Sequence, residues 1–193
     1  MTTLFLAERY MRNTEHHYGW FAISAHWLAA IMIIGLFGLG FWMVDLSYYD
    51  PWYKTGPDLH RSIGIILFTL MALRLVWKFI QVQPKPLDHY TKFERIVGHW
   101  VHRILYILAF GIMFSGYLIS TADGRGIDVF ELFQVPSLGE LFADQEDISG
   151  LIHKYAAYTL AGAVVLHLLG ALKHHFIDKD ITLKRMLGYR KQK

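Results

Sequence analysis

Four apolar stretches stand out along the chain, separated by polar segments that carry its prolines and most of its charge. Each reaches the roughly 20 residues that a bilayer's hydrocarbon core asks of a helix, so the pattern predicts spans at about 20–44, 60–80, 98–121 and 150–176. The first carries no charged residue and has Trp20 and Trp42 where interfacial aromatics belong. The second ends on Arg74 and Lys78, whose long side chains can snorkel to an interface. Loops of about 15 to 30 residues join the spans, which predicts an all-α fold: one membrane domain over 1–193, folded as a four-helix bundle. In the third loop, VFELF and LGELF read as short interfacial helices. Ahead of the first span, the run LFLA is too short for a signal peptide's apolar region, so no cleaved targeting segment is expected.

Composition sharpens this picture. Hydrophobic residues make up 54% of the 193 and charged residues only 18%, which excludes an ordinary soluble domain. There is no cysteine, which excludes disulfides, thiolate metal sites, iron–sulfur clusters and c-type haem attachment within the chain. A cofactor must then be held by histidine or by noncovalent contacts. Charge sets the expected orientation, because cytoplasmic segments near spans carry the excess of Lys and Arg. With both termini inside, the outer side keeps only Lys54, Arg61, Arg125 and Lys154 of the 19 basic residues, but ten of the 16 acids. The outer side is then about −6 and the inner side about +9.

The candidate chemistry is histidine at matched depths. A lone histidine on an apolar face is usually a hydrogen-bonded core residue. The fourth span carries two well inside it, His153 and His167, besides His174 and His175 at its end. At about 100° per residue the second ring returns to within roughly 40° of the first, about 21 Å further along the axis. With alternate spans antiparallel, His26 of the first span lies at the depth of His167, and His60, at the start of the second, at that of His153. Two pairs sharing one helix suit two bis-histidine cofactors in a bundle core. Nonhaem metal fits less well, since the spans hold no acid at these depths. Gly64, Ala156, Ala157 and Gly170 leave room beside these histidines for a flat macrocycle.

The blocks AHWLAA, LHRSIGI, GHWVHRILYI and HKYAAYTLAGAVVLHLLGALKHHFIDKDITLKRML resemble the bacterial cytochrome b561 family of small, four-span, dihaem membrane proteins, over nearly the whole chain. The resemblance implies two haems b, with iron ligands His26 and His167 on the cytoplasmic side and His60 and His153 on the outer side. It also associates the neighbourhood of His174 with quinone, a use that suits a group able to move protons near neutral pH. His99 and His102 are open between a haem propionate, replacement of His26 as ligand, and interfacial packing; His174 is open between the quinone role and an interfacial histidine satisfied by headgroups, and His175 shares both alternatives. His16, His17 and His89 are expected to be solvated.

Filling both axial positions of each iron favours electron transfer over oxygen binding. The expected function is therefore that of an inner-membrane cytochrome carrying electrons between an outer-side donor and membrane quinone. One branch of the family oxidises superoxide and reduces ubiquinone, which implies superoxide:ubiquinone oxidoreductase chemistry, although an outer side of about −6 repels an anionic donor. The alternative is a cytochrome subunit served by a protein donor such as a dehydrogenase or hydrogenase. A third reading, from another class, is a non-redox membrane protein that handles protons or metal.

Overall fold

The computed structural model describes residues 10–189, so the LFLA run at positions 4–7 lies outside the described residues. Four long helices dominate it: α1 (Trp20–Met43), α2 (Thr55–Ile80), α3 (Lys92–Thr121) and α4 (Gln145–Phe176). A hairpin of β1 (Ile127–Val129) and β2 (Phe133–Val135) precedes α4, and a short α5 (Thr182–Met186) follows it. All four long helices are apolar and long enough to cross a membrane, and the protein buries only 6–22% of their most apolar windows. So much outward-facing apolar surface needs lipid as its solvent, and the fold is a membrane four-helix bundle.

Three of these helices begin ahead of their apolar windows, where polar first turns carry a capping box or acidic residues. The α3 start is a capping box. Thr91 Oγ1 accepts the Glu94 N–H at 3.2 Å, and Glu94 Oε2 accepts the Thr91 N–H at 2.9 Å. Acids sit in the first turn of α2 (Asp58) and of α4 (Glu146, Asp147), where the helix dipole favours them. Before α1, Gly19 donates its N–H to Asn13 Oδ1 at 2.8 Å, and a Cβ there would overlap the Met11 carbonyl. Only glycine permits that approach.

The third loop departs from the expectation of interfacial helices. VFELF forms the end of the β1–β2 hairpin, with Ile127 opposite Val135 and Val129 opposite Phe133, and LGELF is not helical. Phe130 and Glu131 both have positive φ, 49° and 59°, and the Leu132 N–H returns to the Val129 carbonyl at 3.0 Å. That is the backbone of a hairpin turn, which a helix cannot contain. Ser62 of α2 clamps it, accepting the Phe130 N–H at 3.2 Å and donating to the Asp128 carbonyl at 3.3 Å.

The chain divides into two compact units. One contains the segment up to Ala30, Leu70–His102 and the chain from Ala163; the other contains Ile31–Thr69 and Arg103–Gly162. Each long helix contributes residues to both.

Candidate functional site

In the unit that contains Leu70–His102, α1 and α4 bring His26 and His167 to a ring-centroid separation of 6.3 Å, with the planes at 74°. Two imidazoles bound trans to one metal, each with a metal–nitrogen bond of about 2 Å, hold their centroids about 6 Å apart. The separation of this pair lies close to that value. His102 of α3 also faces His167, with centroids 5.1 Å apart, and its Nδ1 lies 2.6 Å from the Gly98 carbonyl. Arg74 of α2 places Nη2 3.0 Å from His26 Nδ1.

In the other unit, α2 and α4 bring His60 and His153 to 6.1 Å with the planes at 66°, the same fit. His153 Nδ1 lies 3.0 Å from the Ile112 carbonyl and 3.2 Å from Ser115 Oγ. An Nδ1–H donated to that carbonyl leaves Nε2 with a free lone pair, the state a metal ligand needs. The buried Nδ1 of His60 has no hydrogen-bond partner among the described residues.

Two glycines seat these rings. A Cβ at Gly40 would come within 3.1 Å of His60 Cε1, and one at Gly116 within 3.1 Å of His153 Cε1. Sequence reasoning missed both, because nothing along the chain marks which glycine faces which ring. Gly64 and Gly170, in contrast, have no protein atom within 4 Å of where a Cβ would stand.

At the end of α4, back in the first unit, lies a third cluster. Lys173 Nζ bridges Glu94 Oε1 at 2.6 Å and Asp178 Oδ2 at 2.8 Å. His174 Nδ1 lies 2.8 Å from Asp178 Oδ2 and 3.1 Å from Asp180 Oδ2, in ion-pairing range but off the line of a hydrogen bond. Tyr90 covers the His174 ring at 4.7 Å and is hydrogen-bonded to Thr182. Burial pushes the Tyr90 hydroxyl up to about 12, with nearby Asp180 adding to the effect, so it stays neutral. Burial would raise the Asp180 carboxyl too, but the Thr182 N–H and hydroxyl, together with His174 and His89, hold it below the usual carboxylate value.

His89 is exposed as expected, yet it is also partnered: its Nε2 lies 3.3 Å from Asp180 Oδ2. His99 is exposed, His16 and His17 lie against each other, and His175 packs edge-on to Phe176 with its Nδ1 buried and lacking a described partner.

The chain is 48% identical over 176 residues to cytochrome b561 homolog 2 of Escherichia coli (strain K12), covering 91% of this chain and 94% of that one. It is 28% identical over 179 residues to the probable superoxide oxidase CybB of Yersinia pestis, covering 88% and 95%. It is 24% identical over 173 residues to cytochrome b561 homolog 1 of Escherichia coli (strain K12), covering 88% and 96%. The family model for prokaryotic cytochrome b561 matches residues 17–189. A multi-pass chain with paired imidazoles between its helices, it belongs to the prokaryotic cytochrome b561 family of membrane electron-transfer proteins.

Proposed function

We propose that this chain binds two haems b, one between His26 and His167 and one between His60 and His153, and carries electrons from an outer-side donor to membrane quinone. Haem b, the family's cofactor, supplies a one-electron carrier when bound. The observation that carries the reading is the pair of matched spacings, 6.3 and 6.1 Å, with α4 contributing one imidazole to each. Imidazole on both faces leaves an iron no open position, which favours electron transfer over oxygen chemistry.

The remaining residues act around that core. The Ile112 carbonyl orients His153 and sets its tautomer. Gly40 and Gly116 let the backbone approach the two outer rings. Quinone is placed beside His174, on the basic side that the charge count assigns to the cytoplasm, in a bacterial inner membrane. The outer donor is superoxide in the first reading, supported by likeness to a probable superoxide oxidase. The acidic outer surface favours a second reading, in which a basic protein docks there as donor.

A reduced-minus-oxidised spectrum with haem stoichiometry tests the assignment. Two haems are expected in the wild type, with His153→Ala and His167→Ala each losing a different one; a single haem, or the same loss in both variants, refutes it. Superoxide consumption by the purified chain coupled to ubiquinone reduction separates the two donors.

A further inference from the structure

Quinone reduction consumes two electrons and two protons per quinol. In the proposed reading the electrons come from the one-electron donor on the outer side, and the protons must come from water. Three side chains lie in file between exposed surface and the quinone side of His174. The His89 side chain is 54% exposed, that of Asp180 only 3% and that of His174 17%. A single oxygen joins them: Asp180 Oδ2 lies 3.3 Å from His89 Nε2 and 3.1 Å from His174 Nδ1. The other oxygen, Oδ1, is fixed by the Thr182 N–H at 2.8 Å, so Oδ2 is held in place between two imidazoles.

We infer that His89 and Asp180 form a relay that brings protons from the aqueous phase to His174, a conclusion that rests on quinone binding beside His174. His174 gives a proton to a quinone oxygen as it is reduced. Asp180 Oδ2 then passes it another, taken from His89, which recovers its own from water; two passes complete the quinol. The other groups around His174 are otherwise engaged. Lys173 is ion-paired with both Glu94 and Asp178. Tyr90 is bonded to Thr182, and the Arg185 guanidinium donates to the Lys85 carbonyl at 2.9 Å. His174 Nδ1 lies 2.8 Å from Asp178 Oδ2 and 3.1 Å from Asp180 Oδ2 but off the line of a hydrogen bond to either, so the relay requires a rotation of the ring that aligns it with Asp180 Oδ2.

The test is quinone reduction by the haem-loaded protein, driven by a chemical one-electron donor. His89→Ala removes an exposed ring and is expected to slow turnover roughly tenfold, with added imidazole restoring it. Asp180→Asn keeps the Thr182 cap, because an amide oxygen accepts the same N–H, and is expected to slow turnover about a hundredfold without imidazole rescue. Haem spectra and the rate of haem reduction stay unchanged in both, and the exposed His16→Ala leaves turnover unchanged. Wild-type protein that does not reduce quinone overturns the reading of the site and this inference with it. Wild-type protein that reduces quinone while His89→Ala matches it, or is slowed with no response to imidazole, overturns the inference alone.

Discussion

Replacing Gly116 with alanine tests the seating of His153 directly. The added Cβ would stand 3.1 Å from His153 Cε1 and 3.3 Å from Nδ1, where carbon contacts are most favourable at about 3.5–4.0 Å. The ring must retreat from α3 by roughly 0.5 Å to relieve this. Both acceptors of its Nδ1, the Ile112 carbonyl at 3.0 Å and Ser115 Oγ at 3.2 Å, are on α3 as well, so retreat stretches both contacts. Overpacking of this kind costs about 1–3 kcal/mol, and weakening the hydrogen bond adds up to about 1 kcal/mol. Gly111→Ala is the control on the same helix: it is exposed, a Cβ meets nothing within 4 Å, and helix propensity favours alanine by about 0.5–1 kcal/mol. That gain is common to both substitutions and cancels, so the two variants should differ by about 1–4 kcal/mol in detergent unfolding. The Gly116→Ala spectrum should also show one haem altered or lost and the other intact. A Gly116→Ala protein as stable as Gly111→Ala, with an unchanged spectrum, refutes the argument.

Other consequences are measurable. Gly64→Ala meets no protein atom within 4 Å, so the polypeptide alone predicts no loss of stability, whereas a porphyrin seated beside His60 predicts reduced haem occupancy in the purified protein. Ser62→Ala leaves the Phe130 N–H and the Asp128 carbonyl without their clamp, costing about 1–3 kcal/mol, and amide exchange across 127–135 should quicken while the rest of α2 is unaffected. The Asp180 carboxyl is held below its ordinary 3.8, so its contribution to stability is present above that value and lost as pH falls through the lower folded one. Asp180→Asn should flatten the acid limb of a stability–pH curve below about pH 4, and an unchanged limb would contradict the assignment.

The four helices were legible because length and apolar content are local properties. The hairpin was not: Val129, Phe130, Leu132 and Phe133 are spaced as one apolar face of a helix, and what turns them into a hairpin end is cross-strand pairing and the Ser62 clamp, 68 residues away along the chain from Phe130. The pairing of the rings, as distinct from their role as ligands, was legible through depth, since antiparallel spans allow counting from each membrane face. The same counting says nothing of azimuth, so it could not tell Gly40 and Gly116 from the other glycines of the spans. Nor could it find the contact between His89 and Asp180, 91 positions apart, because neither residue sits in a periodic pattern.

Two imidazoles compete to face His167, and two physical arguments point in opposite directions. His102 has Nδ1 against a backbone carbonyl, the arrangement that orients metal ligands, whereas His26 has the Arg74 guanidinium at its Nδ1. Separation argues for His26: 6.3 Å suits two rings bound trans to one metal, and 5.1 Å is about 1 Å too short. Separation is the stronger criterion, because metal–nitrogen bonds are stiff, while a bond from His102 to Gly98 joins residues one helical turn apart on α3 and is open to a histidine whatever its role. Arg74 also has a better partner at hand in the proposed reading, since its planar fork matches the carboxylates that haem b carries on its edge. Its release would free His26 Nδ1 for the tautomer that ligation through Nε2 requires. His26→Ala should accordingly lose one haem, and His102→Ala should keep both while shifting the potential of that haem in a redox titration. Two haems in His26→Ala with one in His102→Ala would assign the iron to His102 instead.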